Sequence, residues 1–268
     1  MPSSTDDQTN SRKTALITGC GRRRLGHVIA KHLAGLGYNI AVHYNRSKDL
    51  AQANAAEYEK RGVQAATFQA DVSDESDVRK LVNDVLARFQ TIDVLVTTAS
   101  IWRSIPLEEL TAEETVNSFR VNTLGTFLCC QHTGLAMAKQ KSGGNIITIG
   151  DSLSAHPYVD YAAYFTSKGA IEGLTKSFAV ELANRNPKIR VNCIAPGPVM
   201  FPENLSTEDR QRVTNSTLTK TANHPESVAM AVEFLINSPM MCGVVLPIDA
   251  GRNVGREQQA RSGFPHTP

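Results

Sequence analysis

Tyr164 and Lys168 are the two residues whose types and spacing most directly indicate chemistry. They are four positions apart in a segment with helical periodicity, so their side chains share one face of a helix. A free tyrosine has a pKa of about 10, and a cation one helical turn away stabilises the phenolate and lowers that pKa. On its own this spacing is more often a solvated helix face, so the elements around the pair must decide its meaning.

Apolar segments alternate with helical segments along the whole chain. Strands are predicted at 13–18, 39–44, 63–69, 92–96, 145–149, 190–194 and 244–248, and helices at 25–36, 50–60, 75–89, 113–139 with a break near Ser118, 161–183 and 226–236. Uniformly apolar strands separated by helices are typical of a parallel sheet that is covered on both faces. We therefore predict a single-domain α/β fold, a Rossmann-type doubly wound sheet of about seven strands. The helix with Tyr164 follows the fifth strand, at the edge where such sheets bind ligands.

Length and composition fit one globular domain. The chain has 268 residues, of which 41% are hydrophobic and 20% charged, and its net charge is +2. This weak charge gives no reason to expect nucleic acid or a membrane surface as a partner. Residues 1–12 are predicted to be a disordered tail, 13–254 the domain and 255–268 a polar C-terminal tail. Residues 198–224 lack strong periodicity, and we interpret them as a segment that covers the substrate.

The five cysteines show no CxxC spacing, and their number is odd. Buried thiols in a reducing compartment are the simpler interpretation, and no metal site is predicted. The N-terminal segment has no apolar core of the kind found in signal peptides, and no apolar run approaches about 20 residues. We therefore expect a cytoplasmic protein.

A glycine-rich turn follows the first strand and precedes a helix. It contains Gly19, Gly21, Arg24, Leu25 and Gly26. Glycines at this turn let the backbone approach a pyrophosphate, which then lies at the helix N-terminus. A plain tight turn is the alternative, but the position between first strand and helix is the one that dinucleotide binding requires.

The end of the second strand predicts which dinucleotide is bound. It carries Tyr44, Asn45, Arg46 and Ser47 and no acidic residue. An acid here binds the ribose hydroxyl of NAD, whereas an arginine accommodates the 2′-phosphate of NADP. A solvated surface arginine is the alternative, yet together with the glycine turn the pattern favours NADP(H). After the third strand, Asp71-Val72 is placed where the adenine edge would lie.

The combination of these motifs resembles the short-chain dehydrogenase/reductase family. The resemblance rests on the glycine turn, Asn122, the segment Tyr164–Lys168 and Pro196-Gly197, and it covers about residues 13–254. It implies a proton relay of Asn122, Tyr164 and Lys168, with a water held by Asn122 and the ribose held by Lys168. It also implies that Pro196-Gly197 lines the nicotinamide, and that the protein is a homo-oligomer, specifically a tetramer.

One position departs from the general family pattern. A serine that hydrogen-bonds the substrate carbonyl is expected thirteen residues before the tyrosine, and this chain has Asp151 there. Ketone reduction builds negative charge on oxygen, and a carboxylate ~4 Å away would oppose it by about 4 kcal/mol at an effective dielectric constant near 20. An ionised Asp151 suits a substrate nitrogen that gains a proton or donates an N–H group. The alternative is a register shift in which Ser152 takes the serine's role.

Asp151 at this position is similar to a narrower branch, the pteridine reductases and dihydromonapterin reductases. Further likenesses are the segment 43–47, Arg24-Leu25-Gly26, and Ala99-Ser100 with Trp102 after it. In that branch the arginine contacts phosphate and pterin, and the aromatic residue stacks on the pterin. Trp102 is otherwise a rim or core aromatic. Two departures remain: an extra residue in the glycine turn leaves open which of residues 22–24 meets the ligand, and 97–98 are threonines where asparagine is usual.

We therefore predict an NADPH-dependent reductase that transfers hydride to a C=N bond of a dihydropterin or dihydrofolate-like substrate. Asp151, Tyr164, Lys168 and Asn122 are the predicted catalytic residues, and Trp102, Arg24, Tyr164 and Asp151 the substrate contacts. The first alternative is a carbonyl reductase for a 3-oxoacyl thioester, quinone or polyol. The second is a catalytically silent NADP-binding regulatory protein, which would have no need of a proton relay.

Overall fold

The computed structural model describes residues 12–255, so the two predicted tails lie almost entirely outside the described residues. Seven parallel strands form one sheet in the order β3-β2-β1-β4-β5-β6-β7. They are β1 Thr14–Thr18, β2 Asn39–Tyr44, β3 Ala65–Gln69, β4 Val94–Thr97, β5 Gly144–Ile149, β6 Ile189–Pro196 and β7 Val245–Ile248. The predicted Rossmann-type sheet is confirmed.

Helices cover both faces of this sheet. They are α1 Leu25–Gly35, α2 Lys48–Glu59, α3 Glu75–Phe89, α4 Ala112–Ser118, α5 Gly125–Ala138, α6 Ala162–Arg185, α7 Thr207–Asn215 and α8 Glu226–Asn237. Ala15 and Ile17 belong to the core layer under α1, α2 and α8, whereas Leu16 belongs to the layer under α3, α5 and α6. Successive side chains of a strand point to opposite faces, so a strand buried on both sides is apolar at every position.

The strand order reverses direction between β1 and β4. From β1 the chain adds β2 and β3 on one side, then returns to add β4 on the other side of β1. Connections that leave β1 and β4 in opposite directions open a crevice at the carboxyl ends of these strands. The glycine turn, residues 98–102 and the start of α6 meet at this edge of the sheet.

The structure adds detail to two predicted segments. The expected break near Ser118 is a π-helical turn, Phe119–Leu124, between α4 and α5. Segment 198–224 contains α7, which the weak apolar periodicity did not reveal. Its signal was the cap instead, because the Ser206 hydroxyl accepts a hydrogen bond from the Asp209 N–H at 3.1 Å, as helix N-termini favour.

All five cysteines lie within the described residues. Cys20, Cys129, Cys130 and Cys193 are buried free thiols, and Cys242 is an exposed one. Within residues 12–255, no helix has both the length and the apolarity needed to cross a membrane.

Candidate active site

The hydroxyl of Tyr164 lies against the carboxylate of Asp151. Tyr164 is in the first turn of α6 and donates to Asp151 Oδ2 at 2.8 Å. Lys168, one turn further along α6, donates from Nζ to the carbonyl of Ile149 at 2.9 Å, at the end of β5. Both side chains are nearly buried, with 9% and 5% exposed. The structure thus brings Asp151, Tyr164 and Lys168 together between β5 and α6.

The register of the loop after β5 places Asp151, not Ser152, next to Tyr164. Asp151 Oδ1 accepts the N–H of Leu153 at 2.9 Å, which fixes the carboxylate while Oδ2 faces the tyrosine. Ser152 donates its N–H to the carbonyl of Pro196 at 3.0 Å, and its hydroxyl has no hydrogen-bond partner among residues 12–255. The alternative in which Ser152 takes the serine's role therefore has no support from the geometry.

The charges around Tyr164 differ from the expectation. Burial and then the charge of Asp151 raise the pKa of Tyr164 well above its ordinary value. Lys168, whose own pKa is lowered by burial, directs its ammonium to a backbone carbonyl. The prediction that Lys168 lowers the pKa of Tyr164 was wrong for this arrangement, because desolvation and a neighbouring carboxylate outweigh it. Tyr164 keeps its proton near neutral pH and can donate it.

Opposing influences act on the pKa of the buried Asp151 carboxyl. Burial raises its pKa, while hydrogen bonds from Leu153 and Tyr164 and the charges of Lys168 and Arg252 act to lower it. The net shift is upward. Such a balance in a cleft is typical of groups that exchange protons during catalysis.

Asn122 is fully buried in the π-helical turn, and its side-chain amide uses its whole hydrogen-bonding capacity on protein groups. Its Oδ1 accepts from Ser100 Oγ at 2.9 Å and from the Ile101 N–H at 2.8 Å. Its Nδ2 donates to the Ile101 carbonyl at 3.0 Å and to Ser167 Oγ at 2.9 Å. An asparagine amide offers two donors and two acceptor sites, so the predicted role of holding a relay water is not supported. Asn122 instead ties segment 100–101 to α6.

The glycine turn is shaped by close backbone approach. Gly19 has a φ of 72°, and a Cβ there would lie 2.8 Å from Ala99 Cα. At Gly21 a Cβ would lie 2.7 Å from Tyr44 Cβ and 2.9 Å from Ser47 Oγ. Neither position tolerates a side chain, which explains the two glycines of the motif.

His43 was absent from the predicted site, although it holds the glycine turn. Its Nδ1 accepts the Gly19 N–H at 2.9 Å, and its Nε2 lies 3.1 Å from the Ala70 carbonyl. These contacts fit the neutral tautomer with the proton on Nε2, and burial lowers the pKa of His43 to about 4. The signal was a histidine within β2, whose preceding residues 40–42 are all apolar.

The ends of β1 and β4 are joined by threonines. Thr98 Oγ1 donates to the Thr18 carbonyl, and the Ala99 N–H donates to Thr18 Oγ1 at 3.1 Å. Thr98 and Thr18 therefore make the contacts that join these two strand ends, where the family usually has an asparagine. Ala99 lies against Gly19, at the position expected for a cofactor contact.

The segment after β2 surrounds Asp71. Asn45 and Arg46 are exposed, and both act on the Asp71 carboxylate. Burial tends to raise the pKa of Asp71, but hydrogen bonds from Ser73 and Asn45 and the charge of Arg46 lower it overall. Val72 is buried and packs on Gly125, so its side chain does not line the crevice.

The three arginines of the turn, residues 22–24, are all exposed. Arg23 and Arg24 have different neighbours. A hydrogen bond from Lys31 lowers the pKa of Glu57, and the charge of Arg23 adds to this effect. Arg23 therefore lies on the side of α2. Arg24 is the residue that precedes α1, where no side chain caps the helix N-terminus. Leu25 and Gly26 follow in the first turn, where backbone N–H groups favour an anion.

On the substrate side, Trp102 belongs to an aromatic cluster. Its ring stacks on Tyr161 with centroids 4.9 Å apart and an angle of 23° between the planes. It also hydrogen-bonds to Tyr158. Trp102 is 38% exposed, so one face is already covered by protein and a ligand would contact the remaining surface.

Pro196 and Gly197 lie between the loops that follow β5 and β7. The Gly197 N–H donates to the Ile248 carbonyl at 2.9 Å, and a Cβ on Gly197 would lie 2.5 Å from Asp249 Cβ. Arg252, which was not among the predicted site residues, follows in this last loop. It is 3% exposed and its charge acts on Asp151. The one sequence feature that indicates a place for Arg252 in the site is its position after the last strand, at the same edge of the sheet.

This sheet, its switch point and the Tyr164–Lys168 site define an oxidoreductase that uses a nicotinamide dinucleotide, and the glycine cradle fits that cofactor. A family model described as short chain dehydrogenase matches residues 13–212. The chain belongs to the short-chain dehydrogenase family.

Individual relatives extend this assignment. The chain is 35% identical over 225 residues to 3-oxoacyl-(acyl-carrier-protein) reductase FabG of Staphylococcus aureus, which covers 83% of this chain and 90% of that protein. An NAD+-bound xylitol dehydrogenase matches with a TM-score of 0.81 and 28% identity over 89% of this chain and 98% of that one. A structure described as a dehydrogenase from Burkholderia cenocepacia with bound NADP matches with a TM-score of 0.81 and 28% identity over 90% and 94%. None of the three is described as a pteridine reductase, so they do not support the predicted branch.

Proposed function

We propose that the protein is an NADPH-dependent reductase. Solved relatives carry NAD+ in one case and NADP in another, so the choice depends on this chain's own residues. The end of β2 offers Arg46 and Ser47 and no carboxylate for a ribose hydroxyl. A guanidinium can grip a 2′-phosphate with two hydrogen bonds, and this supports NADPH.

The proposed reaction is transfer of hydride to a C=N bond of a dihydropterin or dihydrofolate-like substrate. The observation that carries it is the 2.8 Å hydrogen bond between the Tyr164 hydroxyl and the Asp151 carboxylate. A carboxylate beside the reacting centre opposes the negative charge of the alkoxide formed in ketone reduction. At a C=N bond the nitrogen instead gains a proton, and the same carboxylate stabilises the positive charge that develops there while Tyr164 donates the proton.

Each residue of the site has a distinct task in this scheme. Bound NADPH supplies the hydride. Tyr164 and Asp151 pass a proton to the substrate nitrogen, and water restores it. Lys168, oriented by the Ile149 carbonyl, binds the ribose. Trp102 contacts the flat ring of the substrate.

Ketone reduction is the second candidate, and the similarity to a 3-oxoacyl reductase favours it. Burial raises the pKa of Asp151, and a protonated Asp151 would donate to a carbonyl oxygen as the family's serine does. Under this alternative the substrate is a ketone such as a 3-oxoacyl thioester, a quinone or a polyol's ketone form.

A substrate panel followed by NADPH absorbance separates the candidates. Dihydrobiopterin and dihydrofolate turnover that exceeds turnover of an oxoacyl thioester and a quinone supports the C=N reaction. Ketone turnover without pterin turnover selects the second candidate. Binding of NADPH without turnover on any substrate would favour a silent regulatory protein.

A homo-oligomer, in the first instance a tetramer, is also proposed. Large apolar side chains are exposed on α5, with Phe127 and Leu135, and on α8, with Met230 and Phe234. Exposed apolar faces of this kind are typical of subunit contacts. Light scattering of the purified chain at several concentrations tests the subunit number.

A further inference from the structure

Asn54 is a buried side chain on α2 whose amide N–H groups are directed into the glycine turn. It is 2% exposed, and its Nδ2 donates to the carbonyl of Cys20 at 3.1 Å and to the carbonyl of Gly21 at 3.2 Å. A side-chain amide has two N–H donors, so both are used on successive carbonyls of the turn. Asn54 was not among the predicted site residues, because it lies 33 and 34 positions after these partners.

The two hydrogen bonds fix the direction of two peptide groups. In a trans peptide the C=O and N–H point in opposite directions, so the N–H groups of Gly21 and Arg22 point away from Asn54. The Gly21 N–H donates to the carbonyl of His43 at 3.2 Å. The Arg22 N–H has no backbone hydrogen-bond partner among residues 12–255, so the turn presents it as a donor for an anion.

The turn needs such a constraint because its glycines supply none. Gly21 has no side chain where Tyr44 approaches, and a glycine backbone is freer to rotate than that of other residues. If the turn became ordered only on binding, the entropy lost would weaken the affinity for the ligand. Asn54 orders the turn from α2 before a ligand binds.

The position of α2 does not depend on Asn54. Tyr58, one helical turn further along the same buried face, is fully buried, and its hydroxyl lies 2.8 Å from His27 Nδ1 on α1. Ala51, about one turn before Asn54, is also fully buried. A substitution of Asn54 should therefore remove the two hydrogen bonds to the turn without displacing α2.

Asn192 shows what a structural asparagine looks like in this fold. It lies on β6 and is also 2% exposed. Its Nδ2 donates to the carbonyl of Met241 at 2.9 Å, and its Oδ1 accepts the Val244 N–H at 3.1 Å. These partners precede β7, at the amino ends of the parallel strands and away from the glycine turn. Asn54 differs because both of its hydrogen bonds end in the turn that precedes α1.

We propose that Asn54 is a positioning residue for the cofactor, which holds the peptide groups of residues 20–22 so that the Arg22 N–H is directed to the pyrophosphate of NADP(H). This inference rests on the proposed use of NADPH, and it does not depend on which substrate is reduced. Adenosine 2′-monophosphate has the 2′-phosphate expected at the end of β2 but no pyrophosphate. The role of Asn54 therefore predicts different effects on the binding of NADP+ and of adenosine 2′-monophosphate.

The test compares these two ligands on variants of the full chain. Dissociation constants for both, and the melting temperature without ligand, are measured for wild type, Asn54→Leu, Asn54→Ala and the control Asn192→Leu. We expect Asn54→Leu to weaken the binding of NADP+ at least about tenfold and to leave the binding of adenosine 2′-monophosphate unchanged. Asn54→Ala adds no bulk next to the turn and should change the ratio of the two constants in the same direction. Asn192→Leu should lower the melting temperature and leave both constants unchanged.

Each contrary result has a different meaning. Equal weakening of both ligands in the Asn54 variants would show that α2 has moved with the end of β2, and it would overturn the positioning role while the proposed function remains. A lower melting temperature with an unchanged dissociation constant for NADP+ would also overturn it, because a merely structural asparagine behaves in that way. If Asn54→Leu does not fold, Asn54→Ala decides by the same criteria. A wild type that binds neither ligand overturns the proposed use of NADPH itself.

Discussion

The ends of β1, β2 and β3 are held by glycines, backbone N–H groups and a neutral histidine, whereas the ends of β5, β6 and β7 carry buried ionisable side chains. At the ends of β1–β3, Gly19 and Gly21 remove side chains, and His43 joins the turn to its neighbours. At the ends of β5–β7, Asp151 and Lys168 lie close enough for their charges to interact. The β1–β3 ends suit a ligand that is the same in every turnover, and the β5–β7 ends suit a reaction that moves protons.

This difference has a physical basis. A pyrophosphate is recognised by backbone donors at a helix start, and that arrangement requires no titratable group. Proton transfer requires groups with shifted pKa values, which burial and close charges supply at a cost in stability. Substitutions at the β1–β3 ends and at the β5–β7 ends should therefore have separable effects on cofactor binding and on turnover.

The largest effect is expected from Tyr164→Phe. Loss of the proton donor should lower kcat by about 10²- to 10⁴-fold, the range of general acid catalysis. The dissociation constant of NADPH should stay close to that of wild type, because the phenol lies beside Asp151 after β5, away from the glycine turn after β1. Tyr161→Phe is the matched control and should lower kcat far less. Residual turnover near wild type in Tyr164→Phe would contradict the assignment.

Arg46→Asp should change cofactor preference by about 100-fold from NADPH towards NADH. The carboxylate repels the 2′-phosphate and accepts from the ribose hydroxyl. The ratio of kcat/KM values for the two cofactors is the measurement, and kcat at saturating cofactor should change little. Arg61→Asp makes the same charge change at another exposed position and should leave the ratio unchanged. An unaltered ratio in Arg46→Asp would exclude Arg46 from phosphate binding.

His43→Phe should weaken NADPH binding by about tenfold, because the Gly19 N–H loses its acceptor and a buried unpaired donor costs about 1–3 kcal/mol. Fluorescence titration with NADPH measures this, with His32→Phe on the outer part of α1 as the control. His43→Asn keeps an acceptor and should recover part of the affinity. A purely structural histidine would lower the melting temperature and leave the dissociation constant unchanged.

The same residue predicts a pH dependence of stability. The folded-state pKa of His43 is lowered from 6.5 to about 4, so below pH 6.5 the unfolded chain binds a proton that the folded chain excludes. Stability is full above about pH 6.5 and falls by about 3 kcal/mol as the pH approaches 4. Urea unfolding at pH 7.5 and pH 5 should show a larger loss for wild type than for His43→Asn. Equal losses would show that His43 titrates normally in the folded state.

Thr111 lies outside both groups of strand ends, so Thr111→Ala should have the smallest effect. The Thr111 hydroxyl accepts the Glu114 N–H at 3.2 Å and caps α4. Its loss should lower the free energy of unfolding by about 1 kcal/mol without changing KM, kcat or NADPH binding. A clear kinetic change would mean that α4 is coupled to the site.

The β1–β3 ends and the β5–β7 ends also differ in how far the sequence predicts their contacts. The glycine turn and the apolar strands are local patterns, and the structure places them as the patterns indicate. Arg252 reaches the site through a loop about 100 residues after Asp151, and no local pattern in the sequence encodes that contact. The same holds for Trp102, which stacks on Tyr161, and for Asn122, whose amide is fully used by neighbouring groups.

The expected effect of Lys168 on Tyr164 failed for a related reason. Helical spacing gives the distance between two side chains, but not the desolvation of the site or the direction of the ammonium. Those depend on Ile149 and Asp151, which belong to another element. The sequence was therefore enough to place Tyr164 and Lys168 on one face of α6. The direction of the pKa shift could be assigned only from the folded structure.

Turnover by Asp151→Ser tests the central claim most directly. Rates with a dihydropterin and with a 3-oxoacyl thioester are measured for wild type and variant at saturating NADPH, with NADPH binding as the control for folding. We expect wild type to favour the dihydropterin, and the variant to lose that activity by at least about 100-fold while ketone reduction stays equal or rises. Dihydropterin reduction at the wild-type rate in Asp151→Ser would contradict the account.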